Sequence, residues 1–152
     1  MEAGLRVQGG GSGEPVLLLL HGLGATGDVF QGWRPLLATR WPGRWLAPDL
    51  PDHGGSPPLP SYTFDTLAAA VAGLIAAGTP TVVLGHSLGG VVGLALAGHA
   101  FPVKVQAVIG LGIKVAWTGE ELDRAQAPVT PDRITRWAAS PGVSAETAHA
   151  IA

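Results

Sequence analysis

Four short, predominantly apolar runs punctuate the chain, and each is followed by a glycine- or proline-rich loop or by a stretch with helical periodicity. The runs lie at residues 16–20, 44–49, 81–84 and 105–111. Strands that are apolar throughout are buried on both faces, as they are in a parallel sheet covered by helices. The pattern therefore predicts an α/β fold, with a mostly parallel sheet and helices on both of its faces.

Helical periodicity is clearest between the second and third apolar runs. Thr63 is suited to cap the start of a helix, and Gly78 ends the segment. Between them, five apolar residues recur at helical spacing: Phe64, Leu67, Val71, Leu74 and Ile75. Two further helices are predicted at residues 33–41 and 90–97, and residues 5–7 are predicted to add an antiparallel edge strand.

The pattern changes after residue 115, where prolines interrupt short polar and apolar stretches. No further strand is predicted in this region, and the predicted helices are short: 120–127, 131–139 and 144–152. The sequence therefore predicts an α/β core at residues 1–115 and a separate helical region at residues 116–152.

The composition of the chain limits which kinds of partner and cofactor it can bind. The 152 residues suffice for one domain with a substantial core, and nine basic against eleven acidic residues give a net charge of −2. No basic stripe suggests a nucleic-acid partner, and the absence of cysteine excludes disulfides, thiolate-bound metals and a thiol nucleophile. No signal peptide or membrane-spanning run is recognisable. We expect a cytoplasmic protein that binds no nucleic acid, membrane, metal or cofactor.

The segment Gly85-His86-Ser87-Leu88-Gly89 joins the third apolar run to a predicted helix. A serine between two glycines at such a junction is typical of a nucleophile elbow, a sharp turn that exposes the serine above the sheet. Glycine suits both flanking positions because the serine adopts an unfavourable backbone conformation and its neighbours pack closely. The alternative is a tight strand-to-helix turn with no chemical role.

Two further motifs follow the first and second apolar runs. Residues 20–24 read Leu-His-Gly-Leu-Gly, and residues 48–56 read Pro-Asp-Leu-Pro-Asp-His-Gly-Gly-Ser. Together with residues 85–90, they resemble the α/β-hydrolase superfamily, of the type whose first strand ends in His-Gly. Asp52 stands where that family usually has glycine. The resemblance covers roughly residues 14–115 and carries the order and spacing of the family motifs.

The resemblance implies a serine hydrolase that acts on an ester or a related small acyl substrate. Ser87 Oγ would attack the acyl carbonyl. The backbone N–H groups of Leu23 and Leu88 would form the oxyanion hole for the tetrahedral intermediate. Gly22 and Gly24 would let their loop approach the reacting group. The remaining motif residues would support the two loops: His21, Gly85, His86 and Gly89.

The resemblance is incomplete, because the family places its catalytic acid and histidine on loops after later strands. His99 lies near the end of the helix predicted after Ser87, and His149 lies in a predicted helix with no strand before it. Three acidic residues follow the fourth apolar run, although the exposed first turn of a helix explains them as well: Glu120, Glu121 and Asp123. We expect an incomplete α/β-hydrolase fold that is truncated within a helical lid starting at residue 116, and inactive by itself.

Other functions remain open for the same residues. The chain also fits a catalytically silent fragment or binding module, or part of a non-hydrolytic enzyme such as a lyase or a cofactor-free oxidising enzyme. The strand at residues 105–111 is expected to have a single neighbour. Its open edge predicts self-association or pairing with a missing C-terminal segment.

Overall fold

The computed structural model describes residues 4–98, 100–127, 130, 132 and 139. The chain divides into two compact units, Met1–Ile113 and Lys114–Ala152. The first unit holds a 3₁₀ helix at Gly27–Trp33 and the following elements: β1 (Val7–Gly10), β2 (Val16–Leu20), α1 (Arg34–Arg40), β3 (Trp45–Pro48), α2 (Phe64–Ala72), β4 (Pro80–His86), α3 (Leu88–Leu96) and β5 (Lys104–Leu111). Within the described residues, the second unit holds α4 (Gly119–Gln126).

The five described strands form one sheet in the order β1-β3-β2-β4-β5. β3, β2, β4 and β5 run parallel to their neighbours, and β1 pairs antiparallel with β3 at one edge. The four apolar runs are therefore the four parallel strands, and the predicted mostly parallel α/β fold is confirmed.

Helices cover both faces of the sheet, and β2 lies at its centre with all five of its residues buried. On one face, Leu17 and Leu19 pack with Phe30 of the 3₁₀ helix and Leu37 of α1. On the other face, residues of β2 pack with α2 and α3, forming the larger core: Leu18, Leu20, Leu67, Val71, Val92 and Leu96. Burial of each such side chain contributes about 1.5–3 kcal/mol, which explains why β2 is apolar at every position.

Most element boundaries agree with the sequence prediction to within two residues, and β1 and α2 differ more clearly. β1 starts at Val7 rather than residue 5 and runs into glycine, because Gly10 pairs with Trp45 and leaves room for its indole ring. α2 starts after the Thr63 cap as predicted but ends at Ala72. The next two apolar residues, Leu74 and Ile75, lie in a tighter turn after the helix, in which the Ile75 N–H donates to the Ala72 carbonyl.

The second unit begins with a capped helix. Thr118 accepts a hydrogen bond from the Glu121 N–H, and the Glu121 carboxylate accepts one from the Thr118 N–H. The ion pair with Lys114 and the Thr118 N–H lower the pKa of Glu121 to about 2. The helices predicted at 131–139 and 144–152 lie outside the described residues, and the lid remains a prediction.

No helix among the described residues is long and apolar enough to cross a membrane. The predicted cytoplasmic location remains a prediction.

β5 is an edge strand of the described sheet, with β4 as its one described neighbour. Its residues are mostly exposed, and Ile109 and Leu111 retain 47% and 43% of their accessible surface. Because an apolar edge with free backbone groups pairs readily with other strands, we expect the chain to self-associate at high micromolar concentration. Ile109→Lys should shift the sedimentation distribution toward monomer, and Ile109→Val should not. A monomeric wild type with a cooperative melt would contradict this prediction.

Candidate active site

Ser87 connects β4 to α3 through a strained turn. Its backbone has φ 50° and ψ −116°, in a region that non-glycine residues rarely adopt. Its N–H donates to the Leu111 carbonyl of β5 (2.8 Å), and its carbonyl accepts from the Gly90 N–H (3.0 Å). The side chain is half-buried. The predicted position of Ser87 at the apex of a strand-to-helix turn is therefore confirmed.

Close backbone contacts explain the glycines on either side of Ser87. A methyl group at Gly85 would lie 2.4 Å from the Gly89 carbonyl, across the turn. A methyl group at Gly89 would lie 2.2 Å from the Leu20 carbonyl oxygen of β2. These distances are far shorter than any real carbon contact, so α3 starts against the end of β2 only because glycine occupies both positions.

The loop after β2 packs directly on this turn. A methyl group at Gly22 would lie 3.4 Å from Ser87 Cβ and 2.9 Å from His86 Nδ1. The loop closes with a hydrogen bond from the Ala25 N–H to the Gly22 carbonyl (3.2 Å). The motif at residues 20–24 therefore lies against the motif at residues 85–90. Among the described residues, the N–H groups of Leu23 and Leu88 have no hydrogen-bond partner.

His21 is fully buried at the end of β2 and has a structural role in the first unit. Its Nε2 accepts from the Leu50 N–H (2.8 Å), so its Nδ1 carries the proton that is donated to the Gly22 carbonyl (2.8 Å). Burial lowers the pKa of His21 below its ordinary value, which keeps the ring neutral, as both hydrogen bonds require. His21 thus ties the loop after β2 to the loop after β3.

Asp49 organises the loop after β3 from a buried position at its start. The carboxylate accepts from the Gly27 N–H (2.8 Å), the Gly55 N–H (3.0 Å) and the Arg6 guanidinium (2.9 Å). Its carbonyl accepts from the Ser56 hydroxyl (2.6 Å). Burial acts to raise the pKa of Asp49, but these three hydrogen bonds outweigh it and hold the pKa below its ordinary value.

A carboxyl group whose pKa is lowered by folding stabilises the folded state above its unfolded pKa, and this contribution is lost as pH falls through the folded pKa. At pH 7 we expect Asp49→Asn to cost about 1–3 kcal/mol in the free energy of unfolding, since charge-assisted hydrogen bonds are lost. The difference should shrink as pH falls below about 4, through the lowered pKa of Asp49. Urea unfolding at each pH measures it, with the exposed Asp65→Asn as control. A difference that does not change with pH would contradict the assignment.

Asp52, which stands where the family usually has glycine, adopts a backbone conformation that glycine prefers. Its φ of 62° lies in the left-handed region, where glycine is preferred and aspartate is among the best-tolerated alternatives. The family preference for glycine here therefore has a backbone cause, and aspartate meets the same requirement while adding a carboxylate to the site.

A largely apolar cleft of about 570 Å³ opens beside the two loops. Leu23 and Leu88 form the side of the cleft next to the turn at Ser87, and residues from the loop after β3 and from α2 form the rest: Pro51, Asp52, His53, Tyr62, Thr63, Phe64 and Leu67. The residues on the far side of this cleft, such as Tyr62 and Phe64, could not be predicted from the sequence. In the local pattern, a residue that lines a cleft looks the same as an exposed residue at the start of a helix.

No described histidine ring is hydrogen-bonded to Ser87. Both ring nitrogens of His21 and of His53 take part in hydrogen bonds with the backbone, and the ring of His86 forms no hydrogen bond with a described residue. Ser87 Oγ also has no hydrogen-bond partner in the described part of the chain. His99 and His149 lie outside the described residues. No cluster of three or more potential metal ligands occurs among the residues that the structure describes.

Several known proteins are similar to this chain in sequence or in fold. A stretch of 90 residues is 42% identical to a pimeloyl-[acyl-carrier protein] methyl ester esterase of Neisseria meningitidis, covering 59% of this chain and 27% of that protein. A stretch of 103 residues is 40% identical to the magnesium-chelatase 30 kDa subunit of Rhodobacter capsulatus, covering 64% of this chain and 34% of that subunit. The chain thus spans about a third or less of these relatives.

A solved hydrolase from Pseudomonas aeruginosa superimposes with a TM-score of 0.73 at 24% identity, over 95% of this chain and 61% of that one. This likeness shows the common fold. A family model described as alpha/beta hydrolase fold matches residues 15–149, which is most of the chain. Because this match covers far more than half of the sequence, the chain belongs to the alpha/beta hydrolase family.

Proposed function

We propose that this chain carries the nucleophile and the oxyanion hole of a serine hydrolase that acts on an ester or a related acyl substrate. The proposal rests on one observation, the strained conformation of Ser87 at a turn against which the Gly22 loop packs. A plain strand-to-helix turn gains nothing from such strain, whereas a nucleophile must project toward substrate.

In the proposed reaction, Ser87 Oγ attacks the carbonyl carbon of the acyl group. The negative oxygen of the tetrahedral intermediate accepts hydrogen bonds from the N–H groups of Leu23 and Leu88. The N-terminus of α3 adds a favourable partial positive charge next to Leu88. Collapse of the intermediate expels the alcohol and leaves the acyl group on Ser87, and water then releases it.

The general base that takes the Ser87 proton would come from outside the described residues. His21 and His53 are excluded because accepting a proton would break a backbone hydrogen bond at each ring. We retain the prediction that this chain alone lacks turnover, and that a complete enzyme needs an acid and a histidine that the described residues do not provide.

The substrate class follows from the cleft and from the relatives. The cleft beside Leu23 and Leu88 is mostly apolar, which suits a hydrocarbon acyl or alcohol group. The Neisseria relative is named for a methyl ester, which supports an ester as the substrate class here. Among the described residues, Asp52 is the one carboxylate that lines the cleft and no lysine or arginine lines it, so an uncharged group fits better than a carboxylate.

Labelling with a fluorophosphonate probe tests the proposal, because the probe reacts with activated serine hydroxyls and needs no deacylation step. We expect slow but stoichiometric labelling of the wild type and none of Ser87→Ala. Ser61→Ala is the matched control, since Ser61 is exposed and only its carbonyl takes part in a hydrogen bond. Equal labelling of wild type and Ser87→Ala would overturn the proposal.

A second candidate is a non-hydrolytic role on the same scaffold. The magnesium-chelatase subunit, 40% identical over 103 residues, is named for a different activity. A binding module of this kind would retain the fold and the cleft, but it would need no reactive Ser87. Absence of probe labelling, together with an intact cooperative melt, would favour it.

A further inference from the structure

We propose that His53 is a positioning residue for the proposed oxyanion hole, and that only its neutral imidazole holds the loop after β2 in place. The catalytic consequence rests on the function proposed above, whereas the effect on the loop does not. The observation is a hydrogen bond from the Gly24 N–H to His53 Nε2 (3.1 Å), which joins loops 29 residues apart in sequence.

The two hydrogen bonds of His53 fix its tautomer. Nε2 accepts from a backbone N–H and so carries no proton, and Nδ1 therefore donates to the Pro51 carbonyl (2.9 Å). The ring also lies against His21, with ring centroids 5.0 Å apart. Because His21 is itself held by two backbone hydrogen bonds, it provides a fixed surface for His53.

Few interactions hold the loop that would supply the oxyanion donor. The Gly22 carbonyl accepts from the Ala25 N–H and from His21 Nδ1, which fixes the start of the loop. The Leu23 side chain is 79% exposed and contributes little packing. The hydrogen bond of Gly24 to His53 is therefore the described contact that sets the direction of the peptide between Leu23 and Gly24, next to the proposed donor.

Protonation of His53 would convert this contact from attraction to repulsion. An imidazolium donates from both nitrogens, so Nε2–H would face the Gly24 N–H with no acceptor between them. The titratable groups beside the ring are His21, which is in ring contact, and Asp52 and Tyr62, which line the same cleft. Asp49, paired with Arg6, acts electrostatically on His21. None of them accepts a hydrogen bond from His53 Nε2 in this structure.

The first test needs no activity. In ¹⁵N-labelled full chain titrated with acid, we expect the Gly24 amide resonance to move with the same midpoint as the His53 ring protons, because protonation of the ring removes the acceptor for the Gly24 N–H. The Gly78 amide, which donates to the Pro102 carbonyl, is the internal control and should stay fixed. A Gly24 amide that does not follow His53 would overturn the proposal.

Two variants separate positioning from general structural support. The amide oxygen of His53→Gln can accept from Gly24 but does not titrate, so this variant should keep the loop in place and lose the Gly24 transition. His53→Leu keeps bulk without an acceptor, and it should expose the Gly24 amide to faster hydrogen exchange at every pH. If the Gly24 transition persisted unchanged in His53→Gln, it would have to come from His21, and the proposal would be overturned.

The second test links the loop to reactivity. The ratio of the Ser87 labelling rate in His53→Gln to that in wild type should rise about tenfold or more across the Gly24 transition, because wild type loses one aligned donor once His53 is protonated. The ratio cancels the general effect of pH on serine. A constant ratio would show that protonation of His53 does not affect the reactivity of Ser87. If Ser87 is not labelled at all, the proposed function fails while the Gly24 titration still decides the positioning role.

Discussion

Replacing Gly89 with alanine is expected to lower the free energy of unfolding by about 3 kcal/mol or more, a large part of the stability of a small domain. The added methyl group would lie 2.2 Å from the Leu20 carbonyl oxygen and 2.6 Å from that of His21. Both are backbone atoms of the central strand and its end, so no side-chain rotation relieves the clash. The start of α3 would have to move away from β2.

Urea unfolding followed by circular dichroism measures this loss. Gly32→Ala is the matched control, because no atom lies within 4 Å of a methyl group at that position and its φ is not in the left-handed region. It should leave the unfolding midpoint within the range of ordinary surface substitutions, about 0.5 kcal/mol. Equal midpoints for Gly89→Ala and wild type would show that the turn does not pack as described.

The second large effect concerns turnover. With p-nitrophenyl acetate we expect at most one equivalent of p-nitrophenol per chain, and steady turnover about 10⁴- to 10⁶-fold below that of a complete catalytic triad. The reason is that both ring nitrogens of His21 and of His53 are engaged with the backbone, and no described histidine ring is hydrogen-bonded to Ser87. Absorbance at the p-nitrophenolate band, compared with Ser87→Ala, measures both phases.

Sustained hydrolysis that disappears in Ser87→Ala would contradict the prediction that the chain alone is inactive. His149→Ala would then identify whether that histidine, which lies outside the described residues, supplies the base. Loss of activity in this second variant would mean that the base is carried by the chain itself.

The parts of the fold that could be predicted are those whose cause is local. The apolar run of β2 predicted a strand buried on both faces, and Leu17 and Leu18 do pack on opposite sides of the sheet. Gly85 and Gly89 predicted the strained serine between them because only glycine permits such close backbone contact. Each of these signals lies within a few residues of the feature it predicts.

The parts that could not be predicted depend on partners distant in sequence. The Arg6 guanidinium reaches Asp49 across 43 residues, and Gly24 reaches His53 across 29. Neither pair leaves a periodic or motif signal, because a single side chain meets a single backbone or charged group only after the sheet has formed. The end of α2 at Ala72 has the same kind of cause, since apolar spacing continues beyond it.

The most direct measurement is a crystal structure of the chain after reaction with a phosphonylating inhibitor. The adduct mimics the tetrahedral intermediate, with a phosphoryl oxygen in the place of the oxyanion. We predict a covalent bond to Ser87 Oγ and a phosphoryl oxygen about 2.7–3.1 Å from the backbone nitrogens of both Leu23 and Leu88. An adduct on another residue, or a phosphoryl oxygen that contacts neither nitrogen, would contradict the proposed active site.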